Sequence, residues 1–440
     1  GAGLGGLLMA LVIQKDCPDV EVTIYESHAE LTEVGAGIGV WPRVWEILKY
    51  VGLEDTLRQA TGSTDPNEAR MSMTMAKADE PSMIDFHQFA PTIYTFQRSM
   101  LQKLLAGHLR DPGNVLQFSK RLDTYTEPAD GTTGPVILQF RDGTSASCDL
   151  LVGSDGIRST VRRVMYTRLA DAEAGEKAEV LRSMIEPVWS GWVAHRGLIP
   201  TAMLSQEALA KMNRPLIVST SLVGKDKLII NYPIANGTLI NVAAFVGKQV
   251  GEDAVYHGPW VAPETAEEVA SNFEGWDPIV QNQLKCIQKP NLWAIHTTRV
   301  LPTYVRGQVA LIGDAAHGMT TFQASGAGQA MEDGFILSAI LSQKAVTAET
   351  LPGALRIYDE IRRPFSQDVK EKSRLNGGSS HLWRHGWENV TAEQSARGEY
   401  PRELLKVVGT ESEQSMSWTI HGSIMQDRDT VLQMAGELGQ

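Results

Sequence analysis

Residues 1–6 read Gly-Ala-Gly-Leu-Gly-Gly, and Glu26 follows about twenty residues later, at the end of an apolar, strand-like stretch. In a βαβ dinucleotide-binding unit, Gly1 allows a tight turn, Gly3 lets the backbone approach a pyrophosphate and Gly6 lets the helix pack close to the sheet. The following helix offers unpaired N–H groups to phosphates, and Glu26 is placed to accept hydrogen bonds from ribose hydroxyls. The pattern predicts a Rossmann-like dinucleotide site, with an ordinary glycine turn as the alternative. Since no strand precedes Gly1, we expect a longer natural chain.

The composition is that of an acidic, enzyme-sized protein. The 440 residues are 42% hydrophobic, which allows a substantial core and more than one domain. The formal net charge is −12 and no long basic run occurs, which argues against binding to nucleic acid or to an anionic membrane surface. Cys17, Cys148 and Cys286 form no CxxC pair, so neither a disulfide framework nor a zinc site is predicted. No apolar run approaches the roughly 20 residues of a membrane span. We therefore expect a soluble, cytoplasmic protein.

A second sheet is predicted inside the dinucleotide-binding domain. Residues 187–247 contain strand-like segments separated by turns, which is typical of a separate mixed sheet. Two other apolar strands run into glycine-aspartate turns, at Gly153–Gly156 and at Gly313-Asp314. Helices are predicted at Gly6–Gln14, Val44–Tyr50, Met100–Leu109, Gln329–Ser342 and Leu355–Arg362, the last ending before Pro364, and Gly377–Ser380 is predicted as a hinge before a polar helical tail.

Three motifs carry a resemblance to a known family. They are the glycine-rich residues 1–6, Asp155-Gly156 within residues 150–159, and Gly-Asp-Ala-Ala-His at residues 313–317. In this order and spacing they resemble the motifs of class A FAD-dependent aromatic hydroxylases, and the chain looks most like the salicylate hydroxylase group. The resemblance extends from Gly1 to about Arg363 and includes the stretches Glu33–Ile38, Gln97–Ser99, Arg196–Leu198 and Ala324–Asp333.

The resemblance implies an α/β fold with a C-terminal helical segment. In such a fold a Rossmann-like FAD-binding domain is interrupted by a mixed β-sheet substrate domain. The expected boundaries are residues 1–70, 98–175 and 291–375 for the FAD-binding domain, 71–97 and 176–290 for the substrate domain, and 376–440 for the helical tail.

FAD is the cofactor that the resemblance implies. Asp314 ends a buried strand, where its carboxylate needs a polar partner; a ribitol or ribose hydroxyl would serve, and a turn or N-cap role is the alternative. Residues 325–328 open a helix whose N–H groups suit a flavin phosphate or the isoalloxazine carbonyls, and the family implies the carbonyls. Asp155-Gly156 is linked in the family to FAD and to the nicotinamide nucleotide; the alternative is a plain strand-to-helix turn. Arg98 resembles an arginine near the flavin diphosphate; the alternative is a solvated helix residue. The predicted FAD contacts are Gly1, Gly3, Gly6, Glu26, Arg98, Asp155, Gly156, Asp314, Gly326 and Ala327.

The resemblance also implies an activity. It is hydroxylation of a phenolic aromatic acid through a flavin C4a-hydroperoxide, with NADH or NADPH as a transient co-substrate and O2 as the oxidant. Oxidative decarboxylation of the salicylate-to-catechol type is one option. Two alternatives stay open: an enzyme of the same fold that acts on a non-phenolic substrate, such as an epoxidase or isoprenoid reductase, and a flavin-binding protein with impaired turnover. The expected partners are small molecules, and a homodimer is left open.

The substrate is expected between the flavin and the second sheet. Arg196 could bind a carboxylate through two N–H groups, with a structural or flavin-side role as the alternative. His195 could relay a proton, with a core or surface histidine as the alternative. His317 belongs to the flavin motif, where a structural role is expected and a catalytic base is the alternative. For the aromatic candidates the alternative is ordinary core packing. The predicted catalytic residues are His195, Arg196, Tyr232 and Thr321, and the predicted substrate contacts are Trp192, Phe245, Phe322 and Gln323.

Several positions depart from the salicylate hydroxylase pattern. Thr321, Phe322 and Ala324 stand where that group usually has proline, histidine or a similar residue, and glycine; Leu228 stands where a histidine is expected. A different phenolic acid, a decorated ring or an uncoupled enzyme that releases peroxide therefore stays open. The histidines of His-Leu-Trp-Arg-His at residues 381–385 could share a helix face, but no third ligand is evident, so no metal site is predicted.

Overall fold

The computed structural model describes residues 1–31, 37–61, 71–128, 134–204, 218–235, 237–251 and 253–438. Residues 33–36 of the predicted supporting stretch Glu33–Ile38 lie outside the described residues. The same is true of residues 62–70, at the end of the first predicted FAD-binding segment.

Short strands and helices alternate in the first part of the chain, long strands fill the middle, and helices form the end. The strands are β1 (Ile24–Tyr25), β2 (Gly37–Val40), β3 (Met71–Lys77), β4 (Ile84–Gln97), β5 (Leu116–Gln117), β6 (Leu122–Thr126), β7 (Val136–Phe140), β8 (Ser145–Cys148), β9 (Leu151–Gly153), β10 (Val188–Pro200), β11 (Val218–Gly224), β12 (Lys227–Ile234), β13 (Leu239–Gly247), β14 (Val261–Pro263), β15 (Gln288–Thr297), β16 (Val305–Arg306) and β17 (Val309–Leu311). The α-helices are α1 (Leu4–Asp16), α2 (Pro42–Tyr50), α3 (Glu54–Thr61), α4 (Arg98–Gly107), α5 (Pro112–Val115), α6 (Thr160–Asp171), α7 (Glu176–Ser183), α8 (Ala266–Ser271), α9 (Pro278–Leu284), α10 (Asp314–His317), α11 (Gly326–Leu341), α12 (Leu351–Ser380), α13 (Ala392–Ala396), α14 (Glu403–Met416) and α15 (Ile424–Gly436).

The dinucleotide-binding region is built around two parallel strand pairs, β1 with β5 and β9 with β17. Helix α1 begins directly after Gly3, and its apolar residues are buried. A Cβ added at Gly5 would lie 2.8 Å from the carbonyl oxygen of Ala330, so α1 and α11 approach each other through backbone. At Gly6 an added Cβ would collide with the carbonyl of Gly1 and lie 3.0 Å from Ser154 Oγ, next to the end of β9. The glycines therefore bring helix, turn and strand close together.

The second sheet has the strand order β14-β15-β10-β13-β12-β11-β3-β4-β2 among the described residues. Neighbouring strands pair antiparallel except β11 and β3, which are parallel, so the mixed sheet predicted from the sequence is confirmed. Because side chains alternate between the two faces of a strand, each face has its own partners. One face packs on helices α8 and α9 through an apolar cluster that includes Val242, Ala244 and Phe273. The other face is open to the functional site.

Two predictions about the C-terminal helices are wrong. Helix α12 does not end before Pro364 but continues to Ser380, and Gly377–Ser380 is helical and forms no hinge. Proline removes one helical hydrogen bond, but the helix is held on both sides of it, by the ion pairs of Arg362 and by the hydrogen bond between Ser366 and Tyr304. Gly377 serves packing, because a Cβ there would collide with the ring of Phe322.

The segment after α12 covers part of the open sheet face. Trp192 of β10 stacks on Trp383 with ring centroids 5.1 Å apart and contacts the edge of Phe322 at the same separation. Trp387 and Met416 belong to the same buried cluster. Within the described residues, no helix combines the length and apolar character needed to cross a bilayer, and no group of three or more His, Cys, Asp or Glu side chains is placed to hold a metal ion.

Candidate active site

A cavity of about 350 Å³ lies between the glycine-rich turn, the start of α11 and the open face of the nine-stranded sheet. Most of the predicted site residues meet there. Those that line the cavity are Gly3, Gly6, Arg98, Gly156, Arg196, Tyr232, Phe245, Asp314, Thr321, Phe322, Gln323, Gly326 and Ala327. The predicted residues outside its lining are Gly1, Glu26, Asp155, Trp192 and His195.

The glycine-rich turn leaves room for a ligand beside the backbone. Gly3 precedes α1 in an extended conformation, with φ −69° and ψ 171°. A Cβ added at Gly3 would meet nothing within 4 Å, in contrast to the crowded positions of Gly5 and Gly6. Since Gly3 also lines the cavity, this open space is where a phosphate could approach the first N–H groups of the helix.

Glu26 is an ionised carboxylate behind this turn. Its Oε2 accepts a hydrogen bond from the N–H of Ala2 at 3.0 Å, and its Oε1 accepts one from the N–H of His28 at 2.8 Å. Burial would raise the pKa of Glu26, but these hydrogen bonds outweigh it and lower the pKa to about 2. The carboxylate therefore ties the end of β1 to the glycine-rich turn and keeps its charge at neutral pH.

The start of α11 forms a second polar wall. Ser325, Gly326 and Ala327 line the cavity at the N-terminus of this 16-residue helix, where N–H groups lack helical partners. Asp314 begins α10 and is exposed at the cavity surface. These groups could bind phosphate oxygens, ring carbonyls or hydroxyls.

A buried ionic network fixes the geometry of that wall. Asp333 accepts hydrogen bonds from the N–H of Gly313 at 2.9 Å, from His317 Nε2 at 2.6 Å and from Arg362 Nε at 2.9 Å. Burial would raise the pKa of Asp333, but the charges of His317 and Arg362 lower it below its ordinary value. Glu332 pairs with the same arginine at 3.1 Å. His317 thus points into the network and away from the cavity, in agreement with a structural role.

Asp155 and Gly156, both predicted to contact FAD, have different surroundings in the structure. Asp155 accepts hydrogen bonds from Ser159 Oγ at 2.5 Å and from the N–H groups of Thr160 and Val161 at 2.7 and 3.1 Å, so it caps helix α6. Gly156 has φ +77° and lines the cavity. A positive φ of this kind is a conformation that glycine adopts readily.

The loop before α11 is held by side chains from other elements. Asn376 Nδ2 donates to the carbonyl of Phe322 at 2.7 Å, and Trp41 Nε1 donates to the carbonyl of Gln323 at 2.9 Å. Ala324 has φ +50°, a left-handed conformation that favours glycine. Alanine therefore stands at a position whose backbone suits the glycine of the salicylate hydroxylase pattern. Thr321 is exposed in the same loop and lines the cavity.

The sheet wall supplies a cation and a phenol. Arg196 of β10 and Tyr232 of β12 both line the cavity. Burial raises the pKa of Tyr232 to about 12, against the opposing influence of the Arg196 charge, so the phenol is protonated at neutral pH. Asn241 lies opposite Tyr232 in the strand register and accepts a hydrogen bond from the N–H of Gly37 at 3.0 Å. This part of the wall can bind an anionic or hydroxylated ring substituent.

Three predicted site residues have hydrogen-bond or packing partners within the protein. His195 lies on the opposite side of β10 from Arg196, where its Nδ1 is 2.8 Å from Glu264 Oε2. Trp192 is buried in the aromatic cluster beneath the cavity. Gln323 lines the cavity, but its amide nitrogen donates to the carbonyl of Ser415 at 3.0 Å. The positions of His195 and Trp192 give no support to direct contact with a substrate, and we leave both out of the proposed site.

Two cavity-lining residues were not predicted from the sequence. Met416 ends α14 and lines the cavity from the C-terminal segment, and Trp41 lines it from the residue before α2. Neither residue belongs to a motif, so only the tertiary structure reveals them.

A stacked column lies beside the cavity rim. The Arg158 guanidinium sits 3.8 Å from the ring centre of Trp260, and the indole stacks on His296 with centroids 3.5 Å apart. Arg158 follows the cavity-lining Gly156 by two residues, and His296 follows the cavity-lining Ile295. An arginine that packs on an aromatic ring can still donate N–H groups to a phosphate.

Both sequence and fold match known proteins over most of the chain. A family described as FAD binding domain matches residues 1–373. The chain belongs to this family. It is 33% identical over 408 residues to the FAD-dependent monooxygenase str9 of Strobilurus tenacellus, covering 86% of this chain and 87% of that protein. It is 30% identical over 379 residues to a salicylate hydroxylase of Pseudomonas putida, covering 85% and 83%.

A solved structure gives the same result. The substrate complex of a salicylate hydroxylase superposes with a TM-score of 0.76 at 27% identity, covering 98% of this chain and 96% of that chain. The predictions of fold, FAD cofactor and family are confirmed. The protein is an FAD-dependent monooxygenase, a class A flavoprotein hydroxylase of the salicylate hydroxylase type.

Proposed function

We propose that this flavoprotein hydroxylates a phenolic aromatic acid that binds at Arg196 and Tyr232, with NADH or NADPH as the reductant. One observation carries the proposal. A guanidinium and a protonated phenol share one cavity with an opposite wall built of glycine and free helix N–H groups. The first wall suits an acidic ring and the second suits a flavin dinucleotide.

The residues of the second wall fit FAD. A Cβ added at Gly3 would meet nothing within 4 Å, so the backbone there leaves space for a phosphate to approach. The first N–H groups of α11 suit anionic or carbonyl oxygens, and Asp314 is exposed where hydroxyls could donate to it. When bound, FAD supplies hydride acceptance from the nicotinamide and activation of O2. The remaining tasks belong to the protein: binding the acid, orienting its ring and excluding water.

Arg196 is assigned to the anionic group of the substrate. A nearby cation stabilises a carboxylate, and it lowers the pKa of a substrate phenol by favouring the phenolate. Tyr232 remains protonated, because its pKa is raised to about 12, so it donates a hydrogen bond and does not act as a base at neutral pH. The two residues thus orient the ring and hold it in the electron-rich form that an electrophilic oxygen attacks.

Water exclusion is assigned to the loop before α11 and its neighbours. Phe322, Met416 and Trp41 are all buried and line the cavity. The loop at Phe322 and Gln323 is held by hydrogen bonds from Asn376 and Trp41 to its carbonyls. A dry site protects a reactive oxygen species from wasteful decay, so the held loop favours hydroxylation over peroxide release.

The nicotinamide dinucleotide is assigned to the rim at Arg158. Its phosphates carry negative charge, which a guanidinium binds through charge-assisted hydrogen bonds. Trp260 holds Arg158 in place and is a positioning residue. Since Gly156, two residues before Arg158, lines the cavity, a dinucleotide bound at Arg158 would lie next to the flavin site.

The proposed function is tested by NADH and NADPH oxidation in air with the FAD-loaded protein. Salicylate and other phenolic acids are added one at a time, with hydrogen peroxide and ring product measured in parallel. We expect at least one phenolic acid to stimulate oxidation and to yield a hydroxylated product with little peroxide. No stimulation by any phenolic acid, or stimulation that yields peroxide alone, would contradict the proposal.

A further inference from the structure

The sheet wall of the cavity changes character along its strands. In the register of β12 and β13, Tyr232 lies opposite Asn241, Ile230 opposite Ala243 and Leu228 opposite Phe245. Tyr232, Asn241, Ile230, Ala243 and Phe245 all line the cavity. Two residues beyond the polar pair, the wall is therefore apolar.

The change occurs directly beside Arg196. This residue lies opposite Ala243 on one side, and Ile230 lies opposite Ala243 on the other, so the three form one row across β10, β13 and β12. The middle side chain is a single methyl group between two long ones. The next row begins with Ala194, opposite Phe245. Two small residues thus leave a recess next to the guanidinium.

The recess has an apolar end wall drawn from three parts of the chain. Phe245 and Phe322 meet with ring centroids 5.1 Å apart, and Met416 lines the cavity from α14. The charged side chains that line the cavity in the described part of the chain are Arg98, Arg196 and Asp314. Arg196 borders the recess, and no charge lies inside it. We call the recess formed by Ala194, Ile230, Ala243, Phe245, Phe322 and Met416 the alkyl recess.

We infer that the substrate carries a short apolar substituent on its ring, which lies in the alkyl recess over Ala243 while the acid group contacts Arg196. The inference rests on the proposed function and names the substrate class within it: alkyl-substituted phenolic acids. An unsubstituted ring would leave the apolar walls of the recess without packing contacts, which costs free energy. A substituent there also fixes the rotation of the ring, since only one edge can then face the polar pair.

The test is binding of a matched ligand series to the FAD-loaded protein without NADH, NADPH or turnover. The ligands are salicylate and salicylates bearing a methyl or propyl group at each free ring position. Dissociation constants are measured by perturbation of the flavin absorbance and by calorimetry. We expect at least one alkyl derivative to bind about tenfold or more tightly than salicylate, the effect of a methylene-sized group in an apolar site.

Two substitutions test the location. Ala243→Leu fills the recess and should weaken binding of that derivative much more than binding of salicylate, so that the preference is lost. Met416→Ala enlarges the recess and should shift the preference to a longer chain. Ala262→Leu, on the edge strand β14 outside the cavity, is the matched control and should preserve the wild-type order. Thermal unfolding checks each variant, and Ala243→Val replaces Ala243→Leu if the latter does not fold.

The outcomes separate this inference from the proposed function. Equal binding of salicylate and all alkyl derivatives would overturn the alkyl recess and leave the proposed function intact. Equal weakening of every ligand by Ala243→Leu would overturn it as well. Failure of every phenolic acid to bind would contradict the proposed function itself, and with it this inference.

Discussion

The cavity wall that we propose for FAD is rich in glycines and helix N-termini, whereas the wall that we propose for the substrate consists of side chains on the nine-stranded sheet. Backbone groups are available from any sequence, provided that glycine leaves space where a ligand must approach. Side chains on a sheet are brought together by strands that lie far apart in the chain. A short motif therefore suffices for the cofactor, while substrate choice depends on residues that share no motif.

The largest effect on FAD binding is expected from a substitution at Gly3. Substitution Gly3→Ala places a methyl group in open space, so no protein atom has to move, and its backbone conformation suits alanine. We expect the FAD dissociation constant to rise about a hundredfold or more, which is about 2.7 kcal/mol. Thermal unfolding of the FAD-free protein should change little. Flavin fluorescence titration measures the affinity.

The control for Gly3 is Gly107→Ala at the end of α4, where an added Cβ also meets nothing within 4 Å. This variant should bind FAD with wild-type affinity. Unchanged FAD binding by Gly3→Ala would show that the open space beside the glycine-rich turn is not a phosphate site.

Substitutions in β10 should affect activity according to the charge that they remove and the face of the strand on which they lie. Arg196→Met removes the cation from the cavity and is expected to lower kcat/KM for the aromatic acid about a hundredfold, the loss typical of a charge-assisted pair. FAD affinity should remain near wild type, because Arg196 belongs to the sheet wall. Steady-state kinetics and flavin titration measure the two quantities.

His195→Gln is the matched variant on the other face of β10. Since His195 contacts Glu264 and not the cavity, kcat/KM should fall by no more than about threefold. A loss in His195→Gln as large as that in Arg196→Met would contradict the assignment of the two strand faces.

A substitution at Arg158, beside the cavity rim, should affect only the binding of NADH or NADPH. Arg158→Ala is expected to raise the dissociation constant of NADH or NADPH about tenfold, through loss of a charged phosphate contact. Rapid-mixing measurements of anaerobic flavin reduction give this constant separately from the chemical step. Arg163→Ala removes a neighbouring exposed arginine that donates to the carbonyl of Asp123 and should have no effect. Equal effects of the two variants would indicate a general charge contribution and no defined dinucleotide site.

The FAD wall could be predicted from sequence because its determinants are local. Gly3 directly precedes α1 and Gly6 lies in the first turn of that helix, while Asp314 follows β17 by three residues, so short segments of chain bring them to the cavity. The choice between His195 and Arg196 could not be made in this way. Alternation puts them on opposite faces, but only the packing of α8 and α9 against one face shows which side remains open.

Tertiary contacts also explain the errors in the C-terminal segment. Gly377 suggested a hinge because glycine is flexible, yet its role depends on Phe322, which is distant in the sequence. Met416 reaches the cavity only through the packing of α14. The residues that shape the substrate wall thus become visible only when the strands and C-terminal helices are assembled.

A smaller effect is expected at Tyr232, and it concerns pH. Because burial raises its pKa to about 12, the phenol is protonated below that pH and contributes no ionisation to activity between about pH 6 and pH 10. Tyr232→Phe should lower kcat/KM by about fivefold to tenfold, through loss of one hydrogen bond, without changing the shape of the pH profile. An alkaline limb that disappears in Tyr232→Phe would instead identify Tyr232 as an ionising group.

The smallest effect should come from Ala324, where the two walls meet. Its φ of +50° is strained for alanine, so Ala324→Gly should raise the free energy of unfolding by roughly 0.5–1 kcal/mol. Ala235 has the same φ of +50° in a turn outside the cavity, and Ala235→Gly should give a similar gain in denaturant unfolding. Only Ala324→Gly should also change the fraction of NADH that yields peroxide, because Ala324 lies in the loop that shields the cavity. A change in peroxide yield in both variants, or in neither, would contradict a specific role of Ala324 in the oxygen reaction.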